Sequence, residues 1–422
     1  MSIKKIGIAG VIGTLLLAGN ASAEETIRVL LEGHSTSDSI KALLPEFEKE
    51  TGIKVQAEIV PYNDLTSKAL LAFSSHSGRY DVVMDDWVHA VGYASADYIA
   101  PVDKWMKSDT KFYDKADLVP SYADTLRYKD AYYGLPVYGE STFLMYRKDL
   151  FEQYGIAVPK TFDELTAAAK TIKEKTNGQV AGITLRGAQG IQNTFAWAAF
   201  LWGYGGQWID SNGKSAISSP EAIAATNAFV NVLKNYGPIG AANFGWQENR
   251  LVFQQGKAAM TIDSTVNGGF NEDPKQSSVV GKVGYAPVPA QPGDHPGNSG
   301  ALQVHGMFIN SDSKNQDAAW KFISWATAKQ TQMKSVELNP NAGVSSLSAI
   351  NSDAFAQRYG AFKDGMLAAL KNGNAKYLPT VPQSTQIINI TGIALSEALA
   401  GTQSVESALK AANTRNDKAL SR

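Results

Sequence analysis

The residues of this sequence that could do chemistry are carboxylates, imidazoles and aromatic rings, gathered where short apolar runs end. Thr26–Leu31 (TIRVLL) runs into Glu32-Gly33-His34-Ser35, and Asp81–Met84 (DVVM) into Asp85-Asp86-Trp87. Two adjacent acids suggest the carboxylate pair of a glycoside hydrolase, but neighbours on a strand point to opposite faces and do not easily flank one bond. One Asp is therefore expected in a site and the other at the cap of the next element. The five His (34, 76, 89, 295, 305) show no H-E-x-x-H or other metal-ligand spacing. Nucleotide-cradling G-x-G-x-x-G and Walker loops are missing, as is the G-x-S-x-G elbow of a serine hydrolase. Ser211-x-x-Lys214 matches S-x-x-K, yet it sits among Asp210, Asn212 and Gly213, which is turn composition.

The elements that must position these residues are legible in the hydrophobic periodicity. After the first run, Ile40, Leu43, Leu44 and Phe47 recur at helical spacing and Gly52 stops the helix. Ile53–Val60 alternates as a strand, Asp64 is placed to cap a second helix with Leu65, Ala69 and Phe73, and Asp81–Met84 is a third strand. This β-α-β-α-β order predicts a parallel sheet with right-handed crossovers, in which ligands sit beyond the carboxyl ends of the strands. The turns holding Glu32, His34, Ser35, Asp85, Asp86 and Trp87 then border any site. Further on, Thr161 and Glu164 form a capping-box pattern before a helix that reaches Lys175. Gln179–Leu185 and Ala258–Ile262 read as strands, Gln303–Ile309 as another, and Val405–Ala419 as a closing helix. Trp320 and Trp325 fall on the apolar face of a helix and are expected in the core.

Residues 1–23 have the three parts of a secretory signal: Lys4 and Lys5, the apolar stretch Ile6–Ala18, and Ala21-Ser22-Ala23. An exported, periplasmic chain starting near Glu24 is expected. Over the whole 422 residues the net charge is −1, which lacks the basic footprint of a nucleic-acid binder. Removing 1–23 takes away two Lys and no acid, leaving −3. With 44% apolar residues and no Cys, stability must come from core burial, and disulfides and thiolate chemistry are excluded. No cofactor is expected.

At Tyr133-Gly134-Leu135-Pro136, Glu140 and Leu144-Met145-Tyr146-Arg147-Lys148-Asp149-Leu150 the chain resembles the family 1 extracellular solute-binding proteins, the maltose-binding-protein-like receptors of ABC importers. Phe47–Val55, Pro159–Leu165, Phe253-x-x-Gly256-Lys257-Ala258-Ala259-Met260, Ser313–Phe322 and Pro379-x-x-Pro382 extend the resemblance over nearly the whole mature chain. It implies an α/β, two-lobe periplasmic-binding-protein fold of type II. Each lobe would be a central sheet flanked by helices, and the chain would cross the hinge more than once. Lobe one would hold 24–136 plus 264–327, lobe two 137–263 plus 328–400, and 401–422 would close the chain as a helix. The crossings would lie at Leu135–Gly139 and near Asp263. The implied activity is capture of a ligand by hinge closure and delivery to a membrane permease with its ATPase, by a monomer, without catalysis.

A sugar or polyol presents hydroxyls and an apolar C–H face, so its site needs planar donors and acceptors together with rings. To the strand-end residues the resemblance adds Glu140, at the position of a ligand-contacting acid, with Gln303, His305, Asp263 and Asn341 at the cleft. Lobe two offers Arg186, Asn193, Trp197 and Trp202, while Tyr62, Tyr138 and Trp246 are further ring candidates. Where maltose-binding relatives carry rings, this chain has Asp85 and Val266. Fewer stacking platforms and more carboxylates imply a smaller, more hydroxyl-dense ligand than a maltodextrin. Arg186 keeps an anionic ligand open, and a secreted carbohydrate-active hydrolase using Asp85, Asp86 or Glu140 is the alternative function.

Overall fold

The structure, a computed structural model, describes residues 25–295, 297–339 and 343–422. The expected leader and Asn341 lie outside the described residues. Strands β1 (Thr26–Glu32), β2 (Lys54–Val60) and β3 (Val82–Asp86) are followed by a small hairpin, β4 (Arg127–Tyr128) with β5 (Ala131–Tyr132). Then come β6 (Gly134–Arg147), β7 (Met260–Ser264), β8 (Val283–Ala286) and β9 (Leu302–Ile309). As the periodicity predicts, β1 pairs in parallel with β2 and with β3. The sheet order is β2-β1-β3-β9-β6-β7, with β8 also beside β6.

Alternation along β1 sorts its side chains between two layers. Ile27, Val29 and Leu31 pack with Phe47, Phe322 and Trp325, and Leu30 packs with Phe73, Val83 and Tyr93. Helices therefore cover both faces, which is why the inner strands are apolar almost throughout. The helix Ser35–Thr51 buries Ile40, Leu43 and Phe47 and ends at Gly52, whose φ of 74° is the left-handed stop expected of glycine. Trp320 and Trp325 are buried as expected, Trp320 stacked on Trp105.

The 14 residues of β6 join two α/β units. Its first part, Gly134–Ser141, pairs with β9, whereas Thr142–Tyr146 pairs with β7 and Leu144–Arg147 with β8. Segment 264–327, expected entirely in lobe one, is thus divided: β8 joins the far half of β6, and β9 joins β3. At the change of partners the two crossings are tied together. Thr265 N donates to Ser141 O at 2.8 Å, and Ser141 Oγ to Ala301 O at 2.6 Å.

Two local expectations change. Residues 179–185 form only single parallel bridges, Ala181 to Ala258 and Thr184 to Thr261, because Gly182 N donates instead to Tyr236 O at 2.8 Å. The second helix begins at Tyr62 after Pro61, so Asp64 lies in its first turn, where an acid favours the helix dipole, rather than at its cap. The capping box at Thr161 and Glu164 forms as predicted, and the closing helix spans Val405–Leu420. Among the described residues no helix is long and apolar enough to cross a membrane.

Candidate functional site

Strand register brings the polar groups together. Asp86 on β3 is paired across to His305 on β9, and His305 to Tyr138 on β6; two positions along, Glu140 is paired to Gln303. Residues two apart on a strand share a face, so Tyr138 and Glu140 stand together, as do His305 and Gln303. Glu32 ends β1, and His34 follows just beyond it. From the far unit Arg186 and Trp246 approach, and the whole encloses a cavity lined by Glu32, His34, Tyr62, Tyr138 and Glu140 on one side. Arg186, Trp246, Val266 and Gln303 complete it, around a cavity of about 20 Å³. That is room for about one water molecule, so a bound ligand needs the walls further apart than they stand here. Wider grooves around Lys111 lie on the outer surface, lined largely by Lys, Glu and Asp, and lack this convergence of buried polar groups.

His305 is the electrostatic centre. Its Nδ1 lies 2.8 Å from Glu32 Oε2 and 3.2 Å from Asp86 Oδ1, with all three side chains buried. Burial opposes the imidazolium, but the two carboxylates outweigh it and push the ring up to about 10. Burial likewise opposes the charge on Glu32, yet the His305 cation holds its carboxyl below the usual value. Tyr62 donates to Asp86 Oδ2 at 2.6 Å, and burial first and that carboxylate second keep its phenol protonated. Glu140 accepts from Tyr138 Oη at 2.9 Å and from Gln303 Nε2; burial pushes its carboxyl up to about 7 despite His305. Gly343 packs on the Tyr138 ring so closely that a Cβ there would lie 1.9 Å from Cε2.

On the other wall, Arg186 is neutralised by Asp263, to which Nε donates at 3.1 Å, and it donates to Ser264 Oγ at 3.0 Å. Asn249 Nδ2 donates to the same aspartate at 2.6 Å. Trp246 is fixed by donation from Nε1 to Asn267 Oδ1 at 2.9 Å, with the Arg250 guanidinium 5.0 Å from its ring centre.

Glu32, His34, Tyr62, Tyr138, Glu140, Arg186, Trp246 and Gln303 therefore meet at one cavity, and His305, Asp86 and Asp263 support it from behind. The remaining candidates are placed elsewhere. Asp85, on the opposite face of β3 from Asp86 as strand geometry demands, accepts from Tyr93 Oη at 2.5 Å and Thr66 Oγ1 at 3.1 Å within the core. Trp87 is buried in the same layer. Ser35 is buried in the first turn of its helix and does not line the cavity. Asn193 donates to Gly392 O at 2.8 Å, Trp197 to Thr226 Oγ1 at 2.7 Å and Trp202 to Tyr377 O at 3.0 Å, all inside the helical layer of the far unit. The helix Ile191–Gly203 is apolar on nearly all sides, and rings on such a helix are packed from every direction. Ser264 was missed; it follows Asp263 at the end of β7, and only the pairing of β7 with β6 brings it to Arg186 and Gln303.

The His305 cluster has a consequence for stability. The folded value near 10 lies above the 6.5 of a free imidazole. The stabilisation is therefore fully present below about pH 6.5 and is lost as pH rises through about 10. Unfolding free energies from urea titrations are expected to fall between pH 7 and 10, with a shallower slope in His305→Gln. Equal slopes in the two proteins would contradict the ion cluster.

Two α/β units sharing a long strand, with a buried polar cavity where they meet, define a two-lobed solute-binding protein. Residues 33–333 match the bacterial extracellular solute-binding protein family, and the chain belongs to that family. It is 28% identical to the mannitol-binding protein of Pseudomonas aeruginosa over 440 aligned positions, covering 100% of this chain and 98% of that one. The solute-binding protein of Agrobacterium vitis with bound D-mannitol superposes with a TM-score of 0.85 at 30% identity, covering 94% of this chain and 98% of that one. The protein of Agrobacterium radiobacter in complex with ribitol gives 0.87 at 28%, covering 93% and 98%.

Proposed function

We propose that this protein captures a small neutral polyol or monosaccharide between its lobes, unchanged, and delivers it to the permease and ATPase of an ABC importer. The observation that carries this reading is the cavity itself. Its walls alternate carboxyl, amide and imidazole groups with the Tyr62, Tyr138 and Trp246 rings, and its lining guanidinium is neutralised by Asp263. Hydroxyls match such a wall, and an analogue that leaves a buried polar group unpaired loses affinity steeply. The neutralised Arg186 argues against an anionic ligand. The bound D-mannitol and ribitol of the two Agrobacterium proteins point to the same class. A hydrolase reading loses Asp85, which is engaged in the core.

In this reading the hinge is the point where β6 changes partners, Ser141–Thr142, together with Ser264–Thr265. Lobe one carries β1 to β3 and β9, and lobe two carries β7, β8 and the helices around Arg186. The chain is exported to the periplasm after loss of residues 1–23 and works there as a monomer. Isothermal calorimetry and thermal unfolding with D-mannitol, ribitol, glucose and maltodextrins test it. A ligand at a hundredfold excess over its Kd should add about 2.7 kcal/mol of stability and be recovered intact. Affinity that climbs with glucan length, or a released product, would overturn it.

Closure brings Gln192 Nε2 within 2.8 Å of Asn63 Oδ1, a bond between the helices that start at Ile191 and at Tyr62. Asn63→Ala is expected to weaken ligand binding about 2- to 10-fold, mainly through faster dissociation in stopped-flow traces, since one hydrogen bond contributes roughly 0.5–1.5 kcal/mol. An unchanged dissociation rate would mean that the bond plays no part in holding the lobes shut.

A further inference from the structure

His34 has one ring nitrogen whose role is decided and one without a partner. It precedes the helix Ser35–Thr51 in an extended conformation, and its Nδ1 accepts from the backbone amide of Thr36 at 3.2 Å. An amide N–H can only donate, so Nδ1 is bare. Burial, partly offset by Glu32, holds the imidazole down to about 4, so at neutral pH the ring carries a single proton, and that proton is on Nε2. His34 is only 7% exposed and Nε2 has no hydrogen-bond partner among the described residues, although the ring lines the cavity. The ring is also held in place: Tyr138 meets it edge-on at 4.5 Å and Trp246 lies at 5.8 Å.

We propose that His34 Nε2–H is a specificity-determining donor that bonds one hydroxyl oxygen of the ligand and thereby selects a hydroxyl over any other substituent at that position. The inference rests on the polyol reading above and adds to it the group that is read. A hydroxyl accepts from Nε2 and still has its own proton for Glu32, which lines the same cavity and whose Oε2 is turned to His305. A carbonyl oxygen can accept but has no proton to give, an ammonium can give but not accept, and a hydrogen atom does neither. Each of these leaves a buried polar group unmet.

His34→Asn separates the two roles of the residue. Asparagine is a favoured helix cap and its Oδ1 can take the Thr36 amide, but it places nothing where Nε2 stands. Calorimetry with D-mannitol and its monodeoxy derivatives should show wild-type protein losing about 10- to 100-fold in affinity for one deoxy position. The variant should bind mannitol about 10- to 100-fold more weakly and discriminate against that same derivative less than about 3-fold. Mannitol affinity like wild type in the variant, or full retention of the discrimination, overturns the proposal. A readout on the wild-type protein needs no variant. Ring nitrogen–proton correlation spectra should show a bare Nδ1 and a protonated Nε2, with the Nε2 proton moving downfield when mannitol is added. A proton on Nδ1, or an Nε2 signal that does not respond, overturns it as well. If the wild-type protein binds no alditol or neutral sugar, the polyol reading falls and this inference with it; binding with an indifferent His34 removes this inference alone.

Discussion

Alanine at position 140 is expected to raise the Kd for mannitol or ribitol roughly a hundredfold while leaving the fold intact. Glu140 faces the cavity and accepts from both Tyr138 and Gln303; its removal withdraws one ligand partner and leaves the buried Tyr138 hydroxyl without its acceptor, while Gln303 keeps Ser264 Oγ. Two such losses of about 1–2 kcal/mol each come to about 3 kcal/mol, and 1.4 kcal/mol is a factor of ten. Glu140→Gln should lose far less. Burial already pushes this carboxyl up to about 7, so a neutral group of the same shape resembles a form that is well populated near neutrality. Calorimetry on both variants, with circular dichroism to establish that they fold, is the measurement. Wild-type affinity in Glu140→Ala would remove Glu140 from the site.

The second large effect concerns stability. Asp263 is fully buried and holds Arg186, whose side chain is 5% exposed. Burial alone would push the guanidinium down, and the aspartate beside it more than compensates. Asp263→Ala therefore leaves a cation in the interior supported by the Ser264 hydroxyl, the Phe195 ring face, 4.4 Å from the guanidinium carbon, and the field of Glu140. Breaking a buried pair in this way costs about 3–5 kcal/mol. Denaturant titration should show a loss of that size, and the double variant Asp263→Ala, Arg186→Met should recover a substantial part of it, because the uncompensated charge is gone. A single variant within about 1 kcal/mol of wild type would show that Arg186 finds other partners.

Both effects depend on positions that the sequence marks with unequal clarity. Glu140 stands in an ungapped motif that ends at Leu150, and its neighbour in space, Gln303, lies in a strand that is apparent from its alternation. Asp263 was expected near a hinge crossing, but its bond to Arg186 joins residues 77 apart, and no local pattern announces it. The tryptophans mislead for a physical reason. A ring has the same composition signature whether it stacks on a ligand or fills a helical layer, and Trp197 and Trp202 do the latter on a helix whose polar side chains, Gln192 to Thr194, are confined to its first turn. Trp246 instead lines the cavity, from the first turn of a helix with a strongly polar face.

Taken alone, the sequence determined the local elements: the parallel β1, β2 and β3 unit, the glycine stop at Gly52, the capping box at Thr161, and the rule that Asp85 and Asp86 must part company. These follow from side-chain periodicity and from what each residue permits its own backbone. Only the tertiary structure decided which Asp faces the site, that β8 joins the far half of β6, and that His305 sits between Glu32 and Asp86. Strand order and register are set by burial summed over the whole sheet, and a shift of one residue would send every one of these groups to the opposite face.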